Sequence, residues 1–117
     1  LMKIIKKGVT RLVFLVGNYA VKIPNFTVQH SHFLQGCYAN WSERQYTKMF
    51  KGMNEYNKIA PTYFCSFFGL VSIQRRVIEL DRHLTEEEVK YFEHQTSDIK
   101  CANFGWLNGN LVCIDYV

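Results

Sequence analysis

Asp98, Lys100 and Asn103 fall in one short stretch, Asp98-Ile-Lys-Cys-Ala-Asn103, and Asp115 follows twelve residues after Asn103. Between them, residues 104–107 and 111–114 read as two strands around Asn108-Gly109-Asn110, a strong hairpin signal. An antiparallel pair brings its outer ends together. Asn103 and Asp115 are therefore expected side by side, both offering oxygen. Such hard donors suit Mg2+, which also keeps some of its waters. Taken singly, these residues are ordinary: an aspartate in a loop, an aspartate capping a strand end. Their spacing gives the set its chemical meaning.

The elements that must position them follow from pattern and turn chemistry. Residues 2–6, 11–16 and 19–23 are β-rich, and Gly17-Asn18 supplies a tight turn between the last two. Pro24 ends that strand, because it cannot donate to a ladder. Residues 25–35 read as a loop. A helix is expected over 36–51, closed by Gly52, with Cys37, Trp41, Met49 and Phe50 on an apolar side and Trp41 largely buried. Two strand-like runs follow at 63–68 and 70–78, separated by Gly69. Thr85-x-x-Glu88 is a capping box opening a second helix that should reach about residue 94. Three glutamates in its first turn favour the positive end of the helix dipole. The order is three strands, a helix, two strands, a helix and a closing hairpin, which is α+β.

Asp-x-x-x-x-Asn followed by a hairpin and an aspartate resembles the catalytic loop and metal-binding aspartate of the protein-kinase superfamily. The matching stretch is SDIKCANFGWLNGNLVCIDYV, residues 97–117. Upstream, Ala20-Val21-Lys22-Ile23-Pro24 looks like the strand whose lysine holds the ATP phosphates, and Glu43 in NWSERQYTK is placed like the helical glutamate that fixes it. Residues 60–80 look like the fourth and fifth strands and the connector that receives adenine through backbone groups of 77–80. The resemblance spans nearly the whole chain. It implies a kinase N-lobe-like antiparallel sheet with one packed helix, then a short helix, a catalytic-type loop and a hairpin, with no full helical lobe. It implies Mg-ATP as ligand: Lys22 and Glu43 at the phosphates, Asn103 and Asp115 at the metal, Asp98 as the catalytic residue and Lys100 at a phosphate. These groups are expected to converge on one cleft.

The sequence also departs from that pattern. Gly8-Val-Thr-Arg11 replaces the glycine-rich loop, so Arg11 is expected to meet phosphate by charge. Thr96-Ser97 stands where His-Arg would precede the catalytic aspartate, and Asp115-Tyr116-Val117 where Asp-Phe-Gly would stand. No activation segment or helical lobe follows in this sequence. The expectation is a weak phosphotransferase or a pseudokinase. The alternative is a non-catalytic binding protein, an inhibitor of a host protein of the kind bacteriophages encode, which the small size and the NWSER-type helix also suggest.

Bulk properties set the remaining bounds. The chain has 117 residues, enough for one domain with a modest core, and 15% aromatic content argues against disorder. A net charge of +4 is mildly basic, and with Lys3, Lys6, Lys7 and Arg11 at one end and Glu86 to Glu88 far along, it argues against a nucleic-acid partner. Four scattered cysteines read as reduced thiols, and no segment reads as a signal peptide or membrane span, so a cytoplasmic location is expected. His30-Ser-His32 with Cys37 could reach a metal, but reads as two histidines in a solvated loop.

Overall fold

The computed structural model describes residues 2–7, 10–27, 30–80, 82–92 and 104–114. The chain divides into two compact units: Leu1–Met49 with Pro61–Arg76, and Phe50–Ala60 with Val77–Val117.

The first unit is a five-stranded antiparallel sheet with one helix. Its strands are β1 (Met2–Lys7), β2 (Arg11–Val16), β3 (Tyr19–Pro24), β4 (Thr62–Cys65) and β5 (Ser72–Arg75), in the order β1-β2-β3-β5-β4. The β2–β3 hairpin closes on Gly17 at φ +58°, a left-handed position that suits glycine. Helix α1 (His30–Phe50) then lies along one face of the sheet.

Helix α1 begins six residues before the expected Gly36, so His30 and His32 belong to its first turn and not to a loop. Its face also differs. Trp41, expected to be buried, is 50% exposed, and Met49 is exposed with it. The buried positions are Gly36, Asn40, Ser42, Glu43 and Thr47. Gly36, Asn40, Glu43 and Thr47 recur at helical spacing, so the helix turns a small and polar stripe to the sheet. Gly36 is required there, because a Cβ would run into the carbonyl oxygen of Thr10.

The expected strand over 63–68 stops at Cys65, and a 3-10 turn, Phe67–Gly69, follows. Gly69 holds φ +66°, and a Cβ on it would strike the Cys37 carbonyl of α1. The expected run over 70–78 likewise separates into β5 and a short strand of the other unit.

That second unit holds a 3-10 turn, Asn54–Lys58, a three-stranded antiparallel sheet of β6 (Ile78–Glu79), β7 (Phe104–Leu107) and β8 (Asn110–Cys113), and helix α2 (Glu86–Phe92). Ile59, Phe92, Phe104 and Cys113 form its core, with the Phe92 and Phe104 ring centroids 4.8 Å apart. Asn108 at φ 53° and Gly109 at φ 83° make the tight β7–β8 turn that the Asn-Gly pair favours. The capping box is reciprocal: the Glu88 amide donates to Thr85 Oγ1 at 3.2 Å, and the Thr85 amide to Glu88 Oε1 at 2.9 Å. No helix among the described residues is long and apolar enough to cross a membrane.

Candidate functional site

The polar stripe of α1 meets the sheet at three charges. On β3, alternation turns Ala20, Lys22 and Pro24 toward the helix, and all three are buried. Arg11 begins β2 opposite Pro24 and faces the same way. Glu43, two turns into the buried stripe, stands between these two cations.

Lys22 Nζ lies 3.1 Å from Glu43 Oε1. Arg11 reaches both carboxylate oxygens, at 2.7 Å from Nη1 and 3.0 Å from Nη2, the bidentate fork that guanidinium geometry favours. Glu43 is wholly buried, and Lys22 and Arg11 nearly so. Burial pushes the Glu43 carboxyl up, but the charges of Arg11 and Lys22, with their hydrogen bonds, outweigh it and hold the pKa down at about 2. Glu43 is therefore an anion, and Lys22 keeps a partner for its own charge.

Asn40 ties the triad to the backbone. Its Nδ2 donates to the carbonyls of Lys22 at 3.1 Å and Gly69 at 2.9 Å. Its Oδ1 accepts from Arg11 Nη1 at 3.1 Å and Ser72 Oγ at 3.0 Å. This buried amide thus uses two donors and two acceptors. One turn on, Thr47 Oγ1 accepts from the Thr62 amide at 3.0 Å, and Arg44 Nη1 donates to the Thr62 carbonyl at 3.0 Å. These bonds fix β4 against α1, and with it the face from which Lys22 projects.

No protein-family model matches this sequence, and no curated protein matches it significantly.

The expected pair of Lys22 and Glu43 is present. Arg11, expected at phosphate, has its guanidinium on Glu43 and Asn40 inside the sheet–helix interface, nearly closed to solvent. Asn40 was missed altogether. The available signal was its position three residues before Glu43, which puts both on one helical face. Of the connector expected at adenine, Ile78 and Glu79 pair with Trp106 and Gly105 of β7, so one edge of that backbone is committed to a sheet. Asp98, Lys100, Asn103 and Asp115 lie outside the described residues. Among the described residues, no three His, Cys, Asp or Glu side chains lie together so as to hold a metal ion. Among the described residues, Cys37, Cys65 and Cys113 form no disulfide with one another.

Proposed function

We propose that this chain is a minimal protein-kinase-like domain that binds Mg-ATP and acts as a weak phosphotransferase or a pseudokinase. The observation that carries the reading is the buried Lys22–Glu43 pair, 3.1 Å apart between the third strand and the first helix of an antiparallel sheet. A buried ion group is a poor device for stability, because desolvation offsets much of its attraction and a well-packed apolar replacement often does as well or better. A small unit that nonetheless keeps Arg11, Lys22 and Glu43 inside is better understood if one of those charges has a task. A lysine whose charge is fixed by a carboxylate is suited to holding phosphates.

In this reading Lys22 takes the α- and β-phosphates, Lys100 a further phosphate oxygen, and Asn103 and Asp115 the metal. Asp98 orients or deprotonates the acceptor hydroxyl. Mg2+, when bound, supplies neutralisation of the charge on the transferring phosphoryl group. The protein would work in a cytoplasm.

One observation favours a second reading. Arg11 gives Glu43 two hydrogen bonds and Lys22 gives it one. A carboxylate so committed to arginine suits a structural clamp. The chain would then be a kinase-like binding protein, such as a phage-type inhibitor of a host protein, with its outer surface as the working part.

Phosphate release from Mg-ATP and self-phosphorylation, compared between wild type, Asp98→Asn and Asp115→Asn, test the proposal. Slow turnover lost in both variants supports the phosphotransferase. Nucleotide binding without turnover supports the pseudokinase. Neither binding nor turnover leaves the clamp reading.

A further inference from the structure

The two units differ sharply in charge. The first holds nine lysines and arginines against a single acidic residue, Glu43; the second holds five against nine. Glu43 is wholly buried and is neutralised by Arg11 and Lys22. Outside that triad Lys48 is exposed and Arg44, Arg75 and Arg76 are half-buried, and the unit's sequence has no further carboxylate to set against them. Such asymmetry within one chain points to a polyanionic partner.

The same unit has an uncovered sheet face. Residues paired across neighbouring strands share a face. Ala20 pairs with Gln74 and Lys22 with Ser72, and all four are buried on the side that α1 covers. Tyr19 pairs with Arg75, Val21 with Ile73, and Ile73 in turn with Phe64, which places these on the opposite side. There Tyr19 is 46%, Tyr63 44% and Phe64 48% exposed. The Tyr19 and Tyr63 rings meet edge to face, with centroids 6.2 Å apart, across the strand that carries Arg75. Arg76 follows at the same edge, its Nη1 on the Gly17 carbonyl at 3.1 Å.

We propose that this open face, with Tyr19, Tyr63 and Phe64 beside Arg75 and Arg76, binds single-stranded nucleic acid. Exposed rings on an antiparallel sheet offer stacking surfaces to unpaired bases, and adjacent arginines meet the backbone phosphates. A duplex keeps its base faces in its own stack, and an acidic polypeptide has no flat bases to lay on the rings. The expectation from net charge and its spread along the sequence missed this surface, because the acidic second unit offsets half of the first unit's basic excess. The inference is independent of the nucleotide reading, since it uses the face of the sheet away from Lys22.

The test is fluorescence anisotropy of the full chain with a fluorescein-labelled 20-mer of deoxythymidine in 50 mM salt. Binding is expected with a dissociation constant of about 1–100 μM, the range of sequence-independent contacts. Tyr19→Ala and Tyr63→Ala should each weaken it roughly five- to a hundredfold, and Tyr→Phe at either position should restore it. Arg75→Ala should lower the salt slope by about 0.7. Trp41→Ala, on the helix side, should leave binding unchanged. Melting curves confirm that each variant is folded; because both tyrosines are exposed, their truncation spares the interior. The proposal is overturned if the 20-mer does not bind. It is equally overturned if the tyrosine variants bind like wild type, if a duplex of equal length binds as well, or if a glutamate 20-mer competes as effectively.

Discussion

Lys22 of β3 and Glu43 of α1 meet at 3.1 Å in a place closed to solvent, and Arg11 holds the same carboxylate from the other side. Removing the carboxylate takes from both buried cations the counter-charge that Glu43 supplies.

Glu43→Gln should therefore cost about 3–5 kcal/mol of unfolding free energy, as breaking a buried ion pair does. Lys22→Ala should cost clearly less, because Arg11 still holds both carboxylate oxygens of Glu43. Urea denaturation of the three proteins measures both. A cost below about 1 kcal/mol for Glu43→Gln would mean that water reaches the triad.

Acid should release the same interaction. Glu43 has its folded pKa held at about 2 against an ordinary 4.5. A depressed carboxylate contributes stability that is fully present above the unfolded value and fades as pH falls through it toward the folded one. The stability gap between wild type and Glu43→Gln should be widest above about pH 5 and shrink steadily toward pH 2. A gap that stays constant over that range would show that Glu43 does not ionise as the geometry demands.

Gly36 tests the close approach of helix and sheet. Its α-carbon faces the Thr10 carbonyl and Pro24 with no room for a methyl group. Gly36→Ala should destabilise the protein by about 1–3 kcal/mol, the range for overpacking, although alanine is the better helix former. Denaturant midpoints report the sign. A stabilised variant would place α1 farther from the sheet than described.

Much of this was legible in the residues, and the exceptions have physical causes. The β2–β3 and β7–β8 hairpins announce themselves through Gly17-Asn18 and Asn108-Gly109, where backbone sterics leave few alternatives. Thr85 and Glu88 mark their cap because the bonds are local. Helix α1 misleads, since apolar periodicity assumes an oily partner, whereas its partners are Lys22, Arg11, Ser72 and Thr62. The stripe that packs is therefore the polar one, and Trp41 is left outside. Lys22 and Glu43 could be matched from strand-then-helix order. Arg11 and Asn40 could not, because a buried polar network is set by tertiary register and leaves no repeat in the sequence. The short strand Ile78–Glu79 is separated from β5 by its pairing with β7, a partner more than twenty residues distant.

Whether Lys22 serves a nucleotide is read most directly from the thermal shift of wild type and Lys22→Ala on titration with Mg-ATP. Ligand at a hundred times its dissociation constant stabilises a folded protein by about 2.7 kcal/mol. A saturable rise in melting temperature is expected for wild type at millimolar Mg-ATP, and a much smaller rise for Lys22→Ala, whose unliganded melting curve should still show a cooperative transition. No rise in wild type, or an equal rise in both proteins, would contradict a nucleotide-binding role for Lys22.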